Sequence, residues 1–406
     1  MGIGMIGWTS LLLWIQVTFA KTPSSDYVSE SVRSEEYDGL SRVINRTVRR
    51  IQRRRIMGSV VLVAHNDEIV YVDSRGWLHK KTRKEMAIDS LFRMYSLSKP
   101  VTSVAVLQLV ERGLVDLNAP IGDYIEELTD LDVYAPLAHY QPIRQPTVSD
   151  FLMHTAGFTY GLFSVGPVDA LYNVNHPLNA ESSDAFIQRM AELPLAFEPG
   201  TQWRYSVSTD VLGVLVERVT QQSLGEYFQT QIFDPLGMVD TGFVVSEEQV
   251  ARFGPMYTRF GVELETVEQS PFRTERFQSG GGGLVSTIGD YQRFAEMIVQ
   301  NGTLDGIQIL TPDSVALMQQ NQLPNDIRAV NGDGFGYGFQ VQLETNKQSP
   351  VGEYTWDGIG STHFWADPEQ DIYVIALSQY MPFVPVLKYS LRPRIYKSIR
   401  AMDDSE

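Results

Sequence analysis

Apolar residues alternate as in β-strands near both ends of the chain, and helical spacing is most evident between them. The runs that favour strands are rich in β-branched residues. They cover residues 59–63, 68–72, 362–366 and 372–377. Turn-forming residues stand inside each pair of runs, Asn66 and Asp67 in the first and residues 368–370 in the second. The pattern therefore predicts two β-hairpins, one from each end of the sequence.

Three segments have the features of helices. Residues 37–56 carry apolar side chains three and four positions apart, and their other face is basic. We interpret that basic face as solvated, with a binding patch as the alternative. Residues 101–112 are apolar nearly all round and end at Gly113, which indicates a buried helix. Thr287 can cap a third helix, so the glycine run 280–283 before it is interpreted as a tight turn rather than a flexible linker.

This order of elements predicts the α+β fold class. Strands from both ends of the sequence would build one antiparallel sheet flanked by helices, and the middle of the chain would form an inserted helical lobe. We place the sheet lobe at about residues 37–95 and 284–400 and the helical lobe at about 96–283, so that one domain spans 37–400. With 406 residues, the chain can bury a core of that size.

The composition excludes several kinds of site. No cysteine is present, which rules out a thiol nucleophile, a thiolate metal site and a disulfide framework. The six histidines are scattered and show no metal-binding spacing, so no metal and no cofactor are expected. A formal net charge of -16 disfavours nucleic acid and anionic membranes as partners. A small-molecule substrate is therefore the expected partner, and no oligomeric state is predicted.

The first twenty residues carry no charged side chain and are mostly apolar, ending in Thr18-Phe19-Ala20. This pattern predicts a signal peptide over residues 1–20, followed by a polar linker over 21–36, and hence an exported protein, periplasmic or secreted. Because no lysine or arginine precedes the apolar run, an uncleaved membrane anchor is the alternative. No second run of spanning length follows, so no stable membrane span is expected after removal of the signal.

The segment Ser96-Leu97-Ser98-Lys99 places the pattern Ser-x-x-Lys at the start of the predicted buried helix. Residues three positions apart share a helix face, so the Ser96 and Lys99 side chains can touch. A serine hydroxyl becomes an effective nucleophile only when a nearby group takes its proton. Backbone N–H groups at a helix start also favour developing negative charge. Ser96 and Lys99 are therefore candidate catalytic residues, although a four-residue pattern alone has low specificity.

Further motifs follow Ser-x-x-Lys along the chain. They are Leu152-Met153-His154-Thr155-Ala156-Gly157, Tyr205-Ser206-Val207, Pro235-Leu236-Gly237-Met238, the stretch 280–290, Gly336-Tyr337-Gly338 and Trp356-Asp357-Gly358. In this order they resemble the motifs of the β-lactamase-related serine hydrolases, which include class C β-lactamases, D-alanyl-D-alanine carboxypeptidases and family VIII carboxylesterases. The resemblance runs from about Tyr37 to about Tyr380. It implies the β-lactamase/transpeptidase-like fold, with an antiparallel sheet lobe and an inserted helical lobe.

The resemblance also implies roles for individual residues. Ser96 would be the acylated nucleophile, and Tyr205 would be its base, assisted by Lys99. The backbone N–H groups of Ser96 and Ile359 would form the oxyanion hole. The candidate substrate-binding residues are Trp356, Asp357, Gly358, Val207 and Phe158, and Tyr160 and Phe163 are further aromatic candidates for the pocket.

Two departures from the family pattern point toward esters. Val207 stands where lactamases have the asparagine of Tyr-x-Asn, and Trp356-Asp357-Gly358 stands where the family usually has Lys-Thr-Gly or Trp-Gly-Gly. In lactamases the asparagine meets the amide side chain of a β-lactam, and the lysine meets its carboxylate. The leading hypothesis is therefore a serine hydrolase that cleaves esters through a Ser96 acyl-enzyme. The alternatives are a β-lactamase or D,D-peptidase acting on an amide, an acyltransferase, and a non-catalytic binding protein on the same scaffold.

Overall fold

The computed structural model describes residues 28–53, 56–162, 165–258, 261–346 and 348–403. The predicted signal peptide and the first part of the predicted linker lie outside these residues. The helices are α1 (Asp38–Gln52), α2 (Ser98–Glu111), α3 (Val148–Met153), α4 (Pro167–Asn175), α5 (Ser183–Ala191), α6 (Ser208–Thr220), α7 (Leu224–Phe228), α8 (Asp234–Leu236), α9 (Ile288–Val299), α10 (Pro312–Gln319) and α11 (Val386–Asp403).

The strands alternate with these helices mainly at the two ends of the chain. They are β1 (Val32–Arg33), β2 (Gly58–His65), β3 (Glu68–His79), β4 (Lys84–Glu85), β5 (Phe92–Arg93), β6 (Met256–Tyr257), β7 (Glu263–Glu265), β8 (Val285–Ser286), β9 (Thr303–Leu304), β10 (Ile307–Gln308), β11 (Gly334–Phe335), β12 (Gln340–Val341), β13 (Tyr354–Gly358), β14 (Thr362–Asp367) and β15 (Ile372–Ser378).

One antiparallel sheet organises the molecule, with strand order β1-β3-β2-β15-β14-β13-β12-β11 and β4 beside β3. Both predicted hairpins are present as β2–β3 and β14–β15. Asn66 and Asp67 have positive φ angles of 53° and 59°, which gives the tight turn between β2 and β3 a twist that matches the strands. The two hairpins join through β2 and β15, where Ser59 pairs with Ser378. The predicted α+β class with an antiparallel sheet is therefore confirmed.

Both faces of this sheet are buried, as the side-chain alternation along β2 illustrates. Val61 and Val63 pack in a core cluster with residues of α1 and α11. Val60 and Leu62 point the other way, into a larger cluster that includes α2 and the helices of the middle of the chain. The sheet therefore separates a thin layer of terminal helices from a thick helical lobe, and β13 and α2 lie on the side of that lobe.

The predicted helices form with small changes at their ends. α1 and α2 lie within or beside the predicted segments, and Thr287 caps α9 by accepting a hydrogen bond from the Asp290 N–H. The segment predicted as a linker differs in part, because its residues Val32–Arg33 form β1 and pair with β3. Across the ranges that the structure describes, no helix is both long and apolar enough to cross a bilayer.

Candidate active site

Ser96 lies in a single 3₁₀ turn, Tyr95–Leu97, which leads directly into α2. The preceding Tyr95 has φ of 48°, a left-handed conformation that is costly for a bulky residue. The Tyr95 ring packs edge-on against Phe272 at a centroid distance of 5.7 Å. The surrounding packing therefore holds the turn that presents Ser96, and α2 continues behind it as a helix buried along nearly its whole length.

Lys99 and Tyr205 both reach the Ser96 hydroxyl. The Lys99 Nζ lies 3.4 Å from the Ser96 Oγ, and the Tyr205 Oη lies 2.6 Å from it. Lys99 is one turn along α2 and is 1% exposed, whereas Tyr205 comes from the segment just before α6. The structure therefore brings together the three residues that the sequence predicts as catalytic, at distances suited to proton transfer.

The surroundings of Lys99 match an ammonium group. Besides Ser96, its Nζ donates to the Tyr160 hydroxyl at 2.8 Å and to the Gly281 carbonyl at 2.6 Å. An ammonium has three N–H donors and no acceptor, so these three oxygens occupy all of its donors. A group in that state cannot take the proton of Ser96. The geometry therefore favours Tyr205 as the base, with the Lys99 charge 4.7 Å from the centroid of the Tyr205 ring.

Tyr160 is a second tyrosine beside the same charge, and its ring centroid lies 5.0 Å from that of Tyr205. Burial, together with Tyr205 and Asp210 nearby, raises the pKa of Tyr160 well above its usual value. Tyr160 therefore stays a neutral phenol and can serve Lys99 as an acceptor. Sequence reasoning placed Tyr160 among possible pocket aromatics, but it missed the contact with Lys99.

Asp210 supports Gly281 from behind. This buried acid on α6 accepts a hydrogen bond from the Gly281 N–H at 3.1 Å and another from the Ser279 hydroxyl. A Cβ at Gly281 would lie 2.4 Å from an Asp210 oxygen, which explains why the close approach needs glycine there. The interpretation of the glycine run as a structured turn is confirmed, since its carbonyl at Gly281 binds Lys99.

The end of β13 lies against the turn that carries Ser96. A Cβ on Gly358 would come within 2.3 Å of the Met94 carbonyl oxygen, and one on Gly360 would come within 3.0 Å of the Tyr95 ring. Ile359, between these glycines, lines the same cavities as Ser96. The residues predicted to supply the oxyanion N–H groups, Ser96 and Ile359, are thus neighbours across the site.

Two cavities meet at Ser96, Tyr205 and Ile359. The first, here called the aromatic cavity, has a volume of about 620 Å³. Its wall includes Tyr160, Leu162, Phe243, Phe272, Phe277 and Gly282. The second, here called the polar cavity, has a volume of about 1140 Å³. Its wall includes Asp333, Gln342, Trp356, Asp357, Lys388 and Arg392. A substrate held at Ser96 can therefore extend in two directions.

Asp357 is held by two neighbours on the wall of the polar cavity. The Lys388 Nζ lies 3.0 Å from each Asp357 carboxylate oxygen, and the His363 Nδ1 lies 2.9 Å from one of them. Burial opposes ionisation of Asp357, but Lys388 and His363 outweigh it and hold the pKa of Asp357 well below its usual range. Burial also lowers the pKa of His363, so this imidazole is neutral and donates its Nδ1–H. Asp357 is therefore a carboxylate whose charge is balanced by Lys388.

The remaining predicted substrate-binding residues divide into two groups. Trp356 and Gly358 line the polar cavity as expected. Val207 and Phe158 are instead buried in the main hydrophobic core, and neither lines the aromatic or the polar cavity. Both side chains are apolar, and burial in the core removes them from water. Their predicted contact with substrate is corrected accordingly, and Phe163 lies outside the described residues.

Comparison with known proteins identifies the family. The Beta-lactamase family profile matches residues 44–391. Protein Rv1367c of Mycobacterium tuberculosis is 31% identical over 353 residues, covering 82% of this chain and 88% of that protein. Esterase EstB of Burkholderia gladioli is 28% identical over 378 residues, covering 85% of this chain and 92% of EstB.

A solved structure agrees with this relationship. EstCE1, described as a hydrolase with promiscuous acyltransferase activity, superposes with a TM-score of 0.76 at 25% identity and covers 89% of this chain and 100% of its own. The chain therefore belongs to the β-lactamase family of serine hydrolases, and the family resemblance and the β-lactamase/transpeptidase-type fold predicted from the sequence are confirmed.

Proposed function

We propose that this β-lactamase-family chain is an esterase that forms an acyl-enzyme on Ser96. The observation that carries the proposal is the contact of the Ser96 hydroxyl with the Tyr205 phenol at 2.6 Å beside the Lys99 ammonium. A serine, a base and a fixed positive charge are the groups that acyl transfer to a hydroxyl requires. This intact set also argues against a non-catalytic binding protein.

In the acylation step, the Tyr205 phenolate takes the Ser96 proton while Oγ attacks the ester carbonyl carbon. The carbonyl oxygen becomes an oxyanion that the N–H groups of Ser96 and Ile359 face. The carbon–oxygen bond to the alcohol then breaks, and Tyr205 returns its proton to the alcohol oxygen. Lys99 stays an ammonium throughout and attracts the negative charge that develops on the phenol.

In the deacylation step, a water molecule replaces the alcohol. Tyr205 takes a proton from this water, whose oxygen attacks the acyl carbon. The bond to Ser96 breaks, the proton returns to the serine oxygen, and the acid leaves. The same residue acts as base and then as acid in each half-reaction, as microscopic reversibility requires.

The two cavities suggest how an ester is divided at Ser96. The aromatic cavity offers Phe243, Phe272 and Phe277 to a hydrocarbon acyl group. The polar cavity offers hydrogen-bonding side chains to the alcohol. Because the strand beside Ser96 carries Trp356 and a carboxylate rather than a free cation, neutral esters should be preferred to β-lactams.

The test is a set of nitrophenyl esters of increasing acyl length, measured beside a chromogenic cephalosporin. We expect the kcat/KM of nitrophenyl butyrate to exceed that of the cephalosporin, and a fluorophosphonate probe to label Ser96. A higher kcat/KM for the cephalosporin would make the chain a β-lactamase. Label at another serine of the active protein would overturn the site.

Acyl transfer to an alcohol is the second candidate function. It is favoured by the polar cavity, which at about 1140 Å³ is large enough for a second organic substrate that reaches Ser96 separately from the acyl group. Adding an alcohol to the nitrophenyl ester assay measures this directly. Accumulation of the new ester at the expense of free acid would identify a transferase, and free acid alone would identify a hydrolase.

Export is a further proposal and rests on the charge-free apolar segment 1–20. We expect the protein recovered from its native cells to begin after Ala20. N-terminal sequencing tests this, and a mature protein that begins at Met1 and sediments with membranes would support the anchor instead.

A further inference from the structure

The polar cavity contains a cation that the sequence of the strand beside Ser96 does not reveal. Lys388 comes from α11, far from β13 in sequence, yet its side chain lines the polar cavity and is only 6% exposed. Its Nζ lies 3.0 Å from each oxygen of Asp357, so one carboxylate occupies two of its three N–H donors. Lys388 is therefore a buried cation with a single carboxylate partner among the described residues.

Asp357 is the more exposed member of this pair. Its side chain is 28% exposed, against 6% for Lys388. His363, on the neighbouring strand, fixes the carboxylate from the other side through Nδ1 at 2.9 Å. A ligand in the polar cavity therefore meets the Asp357 carboxylate before it can reach the Lys388 ammonium.

The pair also lies close to the reacting atoms. Asp357 is two residues before Ile359 on the strand end that packs against the turn of Ser96. The other charged groups on this wall are already engaged. Arg392 pairs with Glu353 at 3.0 Å, and Asp333 accepts hydrogen bonds from Gln340 and Gln342. The charge presented to the alcohol side of a bound ester is therefore set mainly by Asp357 and Lys388.

We propose that Asp357 is a charge mask that determines specificity: it neutralises Lys388 and so excludes esters whose alcohol part carries a carboxylate. In the native protein such a substrate would place its carboxylate against that of Asp357. Without the Asp357 charge, Lys388 becomes a buried cation lacking a counterion, and a substrate carboxylate can supply one. The inference rests on the proposed esterase function and goes beyond it, since it names the residue pair that selects neutral substrates.

The experiment compares two aryl acetates that differ only in charge, 3-acetoxybenzoate and 3-acetoxybenzamide. The readout is the ratio of their kcat/KM values in each variant. We expect Asp357→Asn to raise the ratio of anionic to neutral ester at least about tenfold. The double variant Asp357→Asn/Lys388→Met should return the ratio to that of the native protein, because the cation is gone. An unchanged ratio in active Asp357→Asn would overturn the proposal.

Lys388→Met examines the same pair from the other side and serves if Asp357→Asn fails to fold. It leaves the Asp357 carboxylate unbalanced, so the ratio for the anionic ester should fall, and the cationic ester 3-acetoxy-N,N,N-trimethylanilinium should gain on the amide. No change in either ratio would contradict the mask.

Binding separates failure of the mask from failure of the esterase function. Benzoate is titrated calorimetrically into native, Asp357→Asn and double-variant protein, which requires no turnover. Tighter benzoate binding in Asp357→Asn alone supports the mask even if no ester is cleaved. Equal binding in all three contradicts it, whereas native protein that cleaves neither acetate would count against the esterase proposal.

Discussion

The aromatic and polar cavities share Ser96, Tyr205 and Ile359 but are built from different parts of the chain. The aromatic cavity is enclosed by loops and helices between residues 160 and 283, and its phenylalanines offer no charge to a ligand. The polar cavity is enclosed by β13, the segment before β12 and the last helix, α11, and it contains paired ions. One set of reacting atoms is thus combined with two independent recognition surfaces. Changes to the reacting atoms should affect every substrate, whereas changes to one wall should affect one half of the ester.

The largest effect is expected from the residues that belong to both cavities. Tyr205→Phe removes the base and should lower kcat about a hundred- to ten-thousandfold for all esters, whichever cavity is filled. Because Ser96, Lys99 and Tyr205 act as a unit, Tyr205→Phe combined with Lys99→Ala should be little worse than either alone. Tyr227→Phe is the matched control, since that buried hydroxyl has no hydrogen-bond partner in the described structure. A Tyr205→Phe enzyme that keeps most of its kcat would require another base.

A smaller effect, on stability rather than catalysis, is expected in the ion pairs of the polar cavity. Burial raises the pKa of Glu353 from its ordinary 4.5 to about 7, although Arg392 and the Tyr396 hydroxyl oppose this rise. The folded protein therefore holds a proton on Glu353 that the unfolded chain has lost. This term is fully present below about pH 4.5 and is lost as the pH rises through 7, a change of about 3 kcal/mol.

Glu353→Gln should remove that pH dependence. The stability of the native protein relative to this variant should fall by about 3 kcal/mol between pH 4.5 and pH 8, as measured by urea unfolding. Exposed Glu344→Gln is the control on the same side of the molecule and should change nothing. Parallel stability curves for native and Glu353→Gln protein would show that Glu353 is ionised throughout this range.

An intermediate effect on catalysis is expected at Tyr160, which contacts the reacting group from the aromatic cavity. Tyr160→Phe removes one of the three acceptors of the Lys99 ammonium. A hydrogen bond to a charged group contributes about 1.5–3 kcal/mol, so kcat should fall roughly ten- to hundredfold. Because Tyr160 acts through Lys99, we expect kcat to fall with little change in KM. An equal loss in Tyr227→Phe, or a rise in KM with unchanged kcat, would make Tyr160 a wall residue only.

The smallest effect is expected where only the volume of one cavity changes. Gly282 lies on the aromatic wall, and a Cβ there would meet nothing closer than 3.7 Å. Gly282→Val should lower kcat/KM for long acyl chains about tenfold relative to acetate, and should be insensitive to the size of the alcohol. Gly39→Val, where a Cβ also has open space, is the control in α1. Dependence on the alcohol instead of the acyl chain would reverse our assignment of the two cavities.

The sequence predicted the fold and the reacting residues well because local spacing determines both. Ser96 and Lys99 are three positions apart on a helix, and the hairpins have turn residues between β-branched runs. The contacts that it missed join distant segments. Tyr160 reaches Lys99 from an irregular loop without periodicity, and Lys388 reaches Asp357 from another element altogether.

The charge of the strand beside Ser96 shows why a motif alone can mislead. Trp356-Asp357-Gly358 suggested an unbalanced carboxylate facing the substrate, yet Lys388 balances it from α11. Val207 was judged by the asparagine it replaces, but an apolar side chain at that position turns into the core. Net charge at a site and the direction of a side chain depend on the assembled elements.

The pairing of β2 with β15 also has a consequence for biosynthesis. These neighbours in the centre of the sheet are separated by most of the chain, and Ser59 cannot find Ser378 until nearly the whole sequence has left the ribosome. Contacts of such long sequence separation close slowly, because their entropic cost precedes their stabilisation. The Ser96 turn packs against β13, which follows in this late-formed half of the sheet. The nascent chain is therefore expected to be catalytically silent until synthesis is almost complete.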